Sequence, residues 1–186
     1  MSPVAVLFAR ADSNYKALPG VDVWDSQRDA RLFPGGCPVI AHPPCRSWGR
    51  LRHFAKPAPG ESDLAFFAVD QVRRFGGVLE HPKGSLLWSA AHLPAPGRFD
   101  EYGGWTLPIY QHWWGHRAEK ATLLYIVGCK PSDIPRMPMC LGESSHVVAS
   151  VSRCRPEITR SEREHTPPEL CTWLVELAAK CEGGSV

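Results

Sequence analysis

A nucleophile in a rigid turn occurs near residue 45. Between Ala41 and Arg50, two prolines immediately precede Cys45 and restrict the direction of its side chain. A thiol is the most nucleophilic side chain near neutral pH, and neighbouring positive charge favours the reactive thiolate. Cys45 is therefore a candidate catalytic nucleophile. The alternative is a structural cysteine, because free cysteines are often buried.

The segment after Cys45 is rich in cations and contains aromatic rings. Cations bind phosphates and aromatic rings stack on bases, so this pattern predicts a loop that faces nucleic acid. Trp48 is the aromatic residue we expect to contact a base, because it lies beside cations in a glycine-containing loop. A solvated basic loop without a ligand is the alternative. The candidate nucleic-acid-binding residues are Arg46, Trp48, Arg50, Arg52 and Lys56.

Two further segments carry groups that could assist a nucleophile. Glu80 ends the apolar run that begins at Gly77, and partial desolvation at the mouth of a strand would raise its pKa towards general-acid use. A capping or surface glutamate is the alternative. The segment from Gln111 to Lys120 offers cations and hydrogen-bond donors beside aromatic residues. Here the alternative is a core hairpin with a polar tip.

The elements that precede these segments explain how they could meet. A helix is predicted over 61–75, with acidic residues at its start, Arg73 and Arg74 at its end, and glycines beyond. Strand, helix and strand in this order predict a parallel sheet, and ligands collect at the carboxyl ends of such strands. The predicted strands of this half are Val4–Phe8, Val21–Asp25, Pro38–Ala41 and Val78–Glu80.

The second half of the chain is less regular. Thr106–Trp113 and Thr122–Val127 predict two strands, joined as a hairpin around 115–117. Residues 129–160 have weak periodicity. Thr166–Glu169 predicts a capping box, followed by a helix with one apolar face. The fold class is α/β: a single domain over residues 1–186 with a Rossmann-like, mostly parallel sheet and flanking helices.

Composition excludes several classes of protein. The 186 residues are 44% apolar and 22% charged, which is ordinary for a globular chain and excludes disorder as the main state. No apolar run reaches the ~20 residues of a membrane span, and the N-terminus lacks the basic start of a signal peptide. Seven irregularly spaced cysteines favour reduced thiols and a cytoplasmic protein. No metal site is expected, because no Cys-x-x-Cys pair occurs among Cys129, Cys140, His146 and Cys154.

Taken together, the segments resemble, in order, motifs of the cytosine-C5 DNA methyltransferase superfamily. His42–Cys45 resembles the family's Pro-Cys nucleophile motif, and Glu80–Pro82 resembles its Glu-Asn-Val motif. Gly115–Gly128 is similar to its Gln-x-Arg-x-Arg stretch and following strand, with Lys120 near the first arginine. Thr166–Leu174 resembles its final helix motif. The resemblance covers roughly half of the chain.

The resemblance implies a reaction and roles for these residues. The Cys45 thiolate would add to C6 of cytosine, Glu80 would protonate or hydrogen-bond N3, and Lys120 or Arg117 would hold O2. C5 would then attack a carbon donor, and loss of the C5 proton would expel the cysteine. The substrate would be DNA or a pyrimidine nucleotide, and in a duplex the base would have to be flipped out to reach the thiol.

The resemblance also implies S-adenosylmethionine as the methyl donor. The family binds it with a Phe-x-Gly-x-Gly loop after the first strand; here Phe8 is kept, whereas Arg10 and Asp12 stand where the glycines would be. Asp25, at the end of the second predicted strand, would take a ribose hydroxyl. Arg10 could instead recognise a phosphate or carboxylate, so transfer from a different one-carbon donor is the alternative.

The compact length leaves other functions open. Residues 129–160 stand in place of the family's large target-recognition region, so a partner protein could supply target recognition. The short form resembles proteins encoded by phages and prophages, which implies the cytoplasm of an infected or lysogenic bacterial cell. Two rivals remain: a catalytically idle protein that binds nucleic acid, and a cysteine hydrolase in which His42, His81 or His116 serves as the base for Cys45.

Overall fold

Six strands form one sheet in the structure, a computed structural model that describes residues 3–138, 140, 142–148 and 155–181. The strands are β1 (Val4–Leu7), β2 (Val21–Trp24), β3 (Val39–Ala41), β4 (Gly77–Pro82), β5 (Trp105–Tyr110) and β6 (Ala121–Val127). Their order across the sheet is β2-β1-β3-β4-β6-β5. The chain thus passes from β1 outward to β2 and returns to the other side of β1 at β3.

Only β6 runs against the common direction of the sheet. β1 pairs in parallel with β2 and β3, and β3 pairs in parallel with β4. β6 is antiparallel to both of its neighbours, β4 and β5. The α/β class and the mostly parallel sheet are therefore confirmed. Because β6 is reversed, its first residues lie at the same edge as the last residues of the other five strands.

Helices cover both faces of the sheet. The helices are α1 (Asp63–Phe75), α2 (Leu87–Ala90), α3 (Arg160–Glu164) and α4 (Pro168–Ala178). α1 joins β3 to β4 and ends at Gly76, whose φ of 75° is easily adopted by glycine. α4 buries Leu170, Leu174 and Leu177 against the opposite face. Both helices, and the apolar face of α4, are confirmed as predicted.

The alternation along the strands decides which side chains share a face. Ile40 and Val78 lie in the core beneath α4, whereas Ala41 and Leu79 lie in the core beneath α1. Successive side chains of a strand point to opposite faces. The side chain of Glu80 is therefore on the α4 side of the sheet.

The predicted hairpin strand is too long. β5 ends at Tyr110, and residues Gln111–Trp114 form a 3-10 helix instead. Trp114 is buried there, with its ring centroid 5.1 Å from that of Trp173 on α4, so the chain must turn inward before the predicted end of the strand. Gly115, at a φ of 86°, ends this turn.

The predicted capping box is also wrong in position. α4 begins with Pro168, so a proline does stand at its first position, but one residue later than predicted; its N-cap is Pro167, which offers no side-chain hydrogen bond. Thr166 is one residue too early to cap the helix. A complete capping box occurs in α3 instead, between Thr159 and Glu162. No helix in the described part of the chain is both long and apolar enough to cross a membrane.

Candidate functional site

The polar groups singled out in the sequence gather at the edge where β1 to β5 end. His42 follows β3, Glu80 lies near the end of β4, and Lys120 immediately precedes the reversed β6. The chain changes direction across the sheet between β1 and β3, and open α/β sheets bind ligands outside the carboxyl ends of their strands at such a switch point. Lys120 lies at this edge because β6 runs antiparallel to β4 and β5, as the predicted hairpin requires.

A hydrogen-bonded chain of three side chains crosses the switch point. The Nδ1 atom of His42 lies 2.9 Å from Oε2 of Glu80, and its Nε2 atom lies 2.9 Å from the hydroxyl of Tyr15. Tyr15 is 1% exposed and comes from the 3-10 helix Asn14–Ala17 after β1. Both imidazole nitrogens are therefore hydrogen-bonded. Through this ring, His42 after β3 links Tyr15, which follows β1, to Glu80 on β4.

Glu80 is an anion in this setting. Burial raises the pKa of Glu80. The hydrogen bond and charge of His42, with the charges of Lys120 and His81, lower this pKa by more than burial raises it, so that it falls to about 2. The expectation of a raised pKa suited to general-acid use is therefore wrong, because it counted desolvation without these partners. The alternative of a surface glutamate is also wrong, since the side chain is only 12% exposed.

Gln111 holds the other oxygen of the carboxylate. Its Nε2 donates to Oε1 of Glu80 at 2.9 Å and to Oγ1 of Thr122 at 3.2 Å. Gln111 is fully buried at the turn after β5. Each oxygen of Glu80 thus accepts a hydrogen bond from a different strand end, which fixes the orientation of the carboxylate.

Cys45 lies in the turn after β3, within reach of these charges. The residue is exposed, yet the protein packed around its thiol raises the pKa of Cys45, and the charge of Glu80 raises it further while Lys120 lowers it. The expected activation by neighbouring cations is therefore not what this structure gives. At neutral pH the thiol carries its proton, and an addition reaction must remove it.

Lys120 and Arg117 were the two candidates to hold O2 of the base, but they lie in different surroundings. The Nζ atom of Lys120 donates to the backbone oxygen of His165 at 2.8 Å, and burial lowers the pKa of this ammonium although Glu80 raises it. Arg117 instead forms a two-pronged ion pair with Glu162 at 2.7 and 2.6 Å. The structure brings Lys120, and not Arg117, to Glu80 and Cys45.

The backbone is strained at two residues beside the site. Phe8, directly after β1, has a φ of 61°, and Lys120, directly before β6, has a φ of 43°. Non-glycine residues avoid this left-handed region, at a cost of roughly 1–3 kcal/mol each, and such residues concentrate at functional sites. The strain lets both chain segments turn sharply at the sheet edge.

The loop after β1 does not form the cofactor cradle that the resemblance implies. The guanidinium of Arg10 pairs with Asp12 at 2.8 Å and with Glu164 of α3 at 2.5 Å. Asp25 accepts hydrogen bonds from Lys16 at 2.6 Å and from the backbone of Gln27 at 2.8 Å. A side chain and two ion pairs fill the place where glycines would let the cofactor approach, so these residues do not fit S-adenosylmethionine in that manner.

The basic loop divides into a structural part and an exposed part. Arg46 pairs with the buried Glu61, and the half-buried ring of Trp48 packs edge-on against Phe66 at 5.4 Å. Phe54, by contrast, is 86% exposed. Within the described residues, Arg50, Arg52 and Lys56 form no ion pair. The exposed aromatic of this loop is thus Phe54 rather than Trp48.

Among the described residues, none of the three histidines considered as a hydrolase base forms a hydrogen bond with the thiol of Cys45. His42 is occupied by Tyr15 and Glu80. His81 points to the opposite face, beside Trp88, and both of its ring nitrogens lack partners in the described part of the chain. His116 faces the backbone oxygens of Ala118 and Glu162. The arrangement therefore counts against a thiol–imidazole hydrolase.

The cysteines weighed for zinc do not assemble in the described residues. Cys129 is buried, Cys140 lies 3.5 Å from His112, and His146 contacts Arg117. Cys154 lies outside the described residues, as does part of the 129–160 segment. In the regions the structure describes, no three His, Cys, Asp or Glu side chains are grouped to hold a metal ion.

Sequence reasoning missed Tyr15, and it included Gln111 only as the first residue of a donor-rich segment, without a role of its own. No local pattern marks Tyr15, since its partner His42 is distant in the chain. Gln111 has a weak signal, because it follows an apolar strand as Glu80 does. Comparisons of the chain with family models, with curated proteins and with solved structures find no match. The resemblance to cytosine-C5 methyltransferases therefore depends on the residues themselves.

Proposed function

We propose that this protein modifies C5 of cytosine, in DNA or in a pyrimidine nucleotide, through a covalent bond between Cys45 and ring carbon C6. One observation carries the proposal. Three groups gather at one edge of the sheet: the thiol of Cys45 in the turn after β3, the carboxylate of Glu80 near the end of β4, and the half-buried ammonium of Lys120 directly before β6. They do so at the edge of a mixed α/β sheet, and the switch between β1 and β3 supports a Rossmann-like interpretation of that sheet.

The charge states suggest how the residues would share the addition step. The Cys45 thiol carries a proton that must leave as the S–C6 bond forms. This proton ends on ring N3, and Glu80, an anion with lone pairs beyond the two hydrogen bonds that it accepts, can accept a further hydrogen bond from the N3–H group and stabilise its positive charge. Lys120 can donate to O2. C5 is then enamine-like; after its substitution, loss of the C5 proton expels the cysteine.

The carbon donor is a separate part of the proposal. The resemblance implies S-adenosylmethionine, but the Arg10–Asp12–Glu164 ion pairs do not fit its usual cradle. Transfer from a different one-carbon donor is the alternative; Arg10 would recognise a phosphate or carboxylate of that donor by exchanging its ion pairs with Asp12 and Glu164.

Covalent trapping tests the nucleophile. The protein is mixed with an oligonucleotide containing 2-pyrimidinone, or with the corresponding nucleoside monophosphate, and intact mass is measured with and without S-adenosylmethionine. This base accepts a thiol at C6 and releases it slowly. We expect an adduct with the wild-type protein and none with Cys45→Ala. An adduct that persists in Cys45→Ala, or its absence from folded wild-type protein with both probes, contradicts the proposal.

The alternative is a catalytically idle protein that binds nucleic acid. The exposed cations Arg50 and Lys56 and the half-buried Arg52, near the exposed Phe54 in the chain, would serve such a protein equally well. This alternative predicts that Cys45→Ala binds an oligonucleotide as tightly as the wild-type protein does and that no adduct forms with either. Trapping and binding measured on the same two proteins therefore separate the two functions.

A further inference from the structure

A second thiol lies beside an imidazole, away from the candidate site. Cys140 is exposed, and its Sγ atom lies 3.5 Å from Nε2 of His112. Sulfur is larger than oxygen, so this separation is within reach of a hydrogen bond between the thiol and the ring nitrogen. The two residues are 28 positions apart in the chain, so the fold and not a local pattern brings them together.

The other ring nitrogen of His112 fixes the direction of this hydrogen bond. Its Nδ1 atom lies 3.1 Å from the backbone oxygen of His116. A carbonyl oxygen can only accept, so Nδ1 carries the ring proton and donates it. In the neutral ring, Nε2 then has a free lone pair that faces the thiol. The imidazole is thus held in the tautomer that can accept a proton from Cys140.

The turn after β5 holds the ring in this position. His112 belongs to the 3-10 helix Gln111–Trp114, which ends at Gly115. The backbone N–H of Gly115 donates to the oxygen of His112 at 3.1 Å, and that of His116 donates to the oxygen of Gln111 at 3.3 Å. These hydrogen bonds fold the chain back on itself, so the carbonyl of His116 meets the ring of His112.

A nucleophile, a base and a group that orients the base are the parts of an activated thiol. Transfer of the proton from Sγ of Cys140 to Nε2 of His112 leaves a thiolate beside an imidazolium, whose positive charge favours the thiolate. Cys45, the other exposed cysteine of the described residues, has different surroundings. Burial and the charge of Glu80 raise the pKa of Cys45, which leaves less of its thiolate at neutral pH.

We propose that Cys140 is a modification site that attacks small disulfides, with His112 as the base that accepts its proton. This inference goes beyond the proposed function and does not depend on it. In thiol–disulfide exchange the developing charge goes to the leaving sulfur, so no oxyanion donors are needed, whereas acyl transfer requires them. In the part of the chain that the structure describes, the only side chain hydrogen-bonded to the Cys140 thiol is that of His112.

The exchange step needs no further reactant. The thiolate of Cys140 attacks one sulfur of the disulfide, and the S–S bond of the disulfide breaks as the new S–S bond forms. The leaving thiolate takes the proton from Nε2 of His112. Cys140 is thereby oxidised to a mixed disulfide, and the other half of the disulfide is reduced and released as a thiol. Excess thiol reverses the reaction.

Reaction with bis(2-hydroxyethyl) disulfide tests the inference without any variant. This probe is small and uncharged, so charges near either thiol do not attract it. The protein is incubated at pH 7 with and without a metal chelator, and the mixed disulfide at each cysteine is quantified by peptide mass spectrometry. We expect Cys140 to react about tenfold faster than Cys45 in both samples. Equal rates at the two cysteines overturn the inference, and so does a reaction at Cys140 that requires the chelator, because the pair would then hold a metal ion.

The variant His112→Phe removes the base and keeps a ring of similar size. We expect exchange at Cys140 to slow about tenfold or more at pH 7 and to approach the wild-type rate at pH 10, where a thiol ionises without a base. His146→Phe is the matched control, because His146 lies close to Cys140 in the chain but contacts Arg117 instead. An unchanged rate in His112→Phe overturns the inference. A loss that is equally large at pH 10 also overturns it, because altered access to the thiol would be the cause.

Discussion

His42 joins the ends of two neighbouring parallel strands, since its Nδ1 atom lies 2.9 Å from Oε2 of Glu80. Because the ionised carboxylate can only accept, the imidazole donates this hydrogen bond. The other ring nitrogen is held by the hydroxyl of Tyr15 at 2.9 Å. The orientation of Glu80 therefore depends on a residue three positions before the candidate nucleophile Cys45 in the sequence.

We expect His42→Asn to raise the pKa of Glu80 from about 2. Burial raises this pKa, and the hydrogen bond from His42 is the largest effect that opposes it. Titration of the ¹³C-labelled glutamate side chains by NMR reads the change directly. A Glu80 resonance that still titrates near pH 2 in His42→Asn would show that Gln111 and Lys120 hold the carboxylate without the imidazole.

The same pKa predicts a loss of stability in acid. The pKa of Glu80 is lowered on folding from its ordinary value of 4.5, so its contribution is fully present above that pH and is lost as pH falls towards 2. The contribution is on the order of 2 kcal/mol. Urea unfolding of wild type and Glu80→Gln between pH 7 and 3 checks this. Parallel curves of stability against pH for the two proteins would contradict it.

Alkylation of Cys45 should report the charge of Glu80. Burial raises the pKa of Cys45, and Glu80 raises it further, so Glu80→Gln should lower it and expose more thiolate at pH 8. We expect iodoacetamide to modify Cys45 about threefold to tenfold faster in Glu80→Gln, measured by peptide mass spectrometry. Glu119→Gln is the control, because Glu119 is not among the charges that act on this thiol. Equal rates in the two variants would refute the coupling.

Gly77 should tolerate no side chain. It starts β4 with a φ of 120°, and an added Cβ would lie 1.9 Å from the backbone oxygen of Val39 on β3. We expect Gly77→Ala to lower the free energy of unfolding by about 3 kcal/mol or more. Gly36→Ala is the matched control: its φ is 88°, but no atom lies within 4 Å of the added carbon. Thermal or urea unfolding that gives similar losses for both would contradict the close approach of β3 and β4.

The exposed part of the basic loop should bind phosphates. Replacing Arg52 and Lys56 by alanine should weaken binding of a duplex oligonucleotide and lower the slope of log K against log salt by about 0.9 for each lost contact. Arg74 and Lys130 are exposed cations at the opposite edge of the sheet, and their double alanine variant is the control. Fluorescence anisotropy at several salt concentrations measures both. Equal effects from the two pairs would indicate nonspecific attraction.

Local patterns in the sequence predicted several of the strands and helices and the positions of two candidate residues. Apolar runs predicted β1 to β4, and charge order with glycine at the end predicted α1, because these signals lie within a few neighbouring residues. The same runs placed Cys45 and Glu80 directly at strand ends. The misplaced capping box shows the limit of such reasoning, since a shift of one residue at Pro167 moved Thr166 out of capping position.

The tertiary structure decided which further residues join the predicted ones and which charge states result. Lys120 reaches the site because β6 is reversed, and Tyr15 and Gln111 reach it because the ends of β1 and β5 share an edge with β4. A pKa depends on all charges and donors around a group, so the low pKa of Glu80 could not be deduced from its neighbours in the chain. Strand order and direction bring together residues that no local sequence pattern connects.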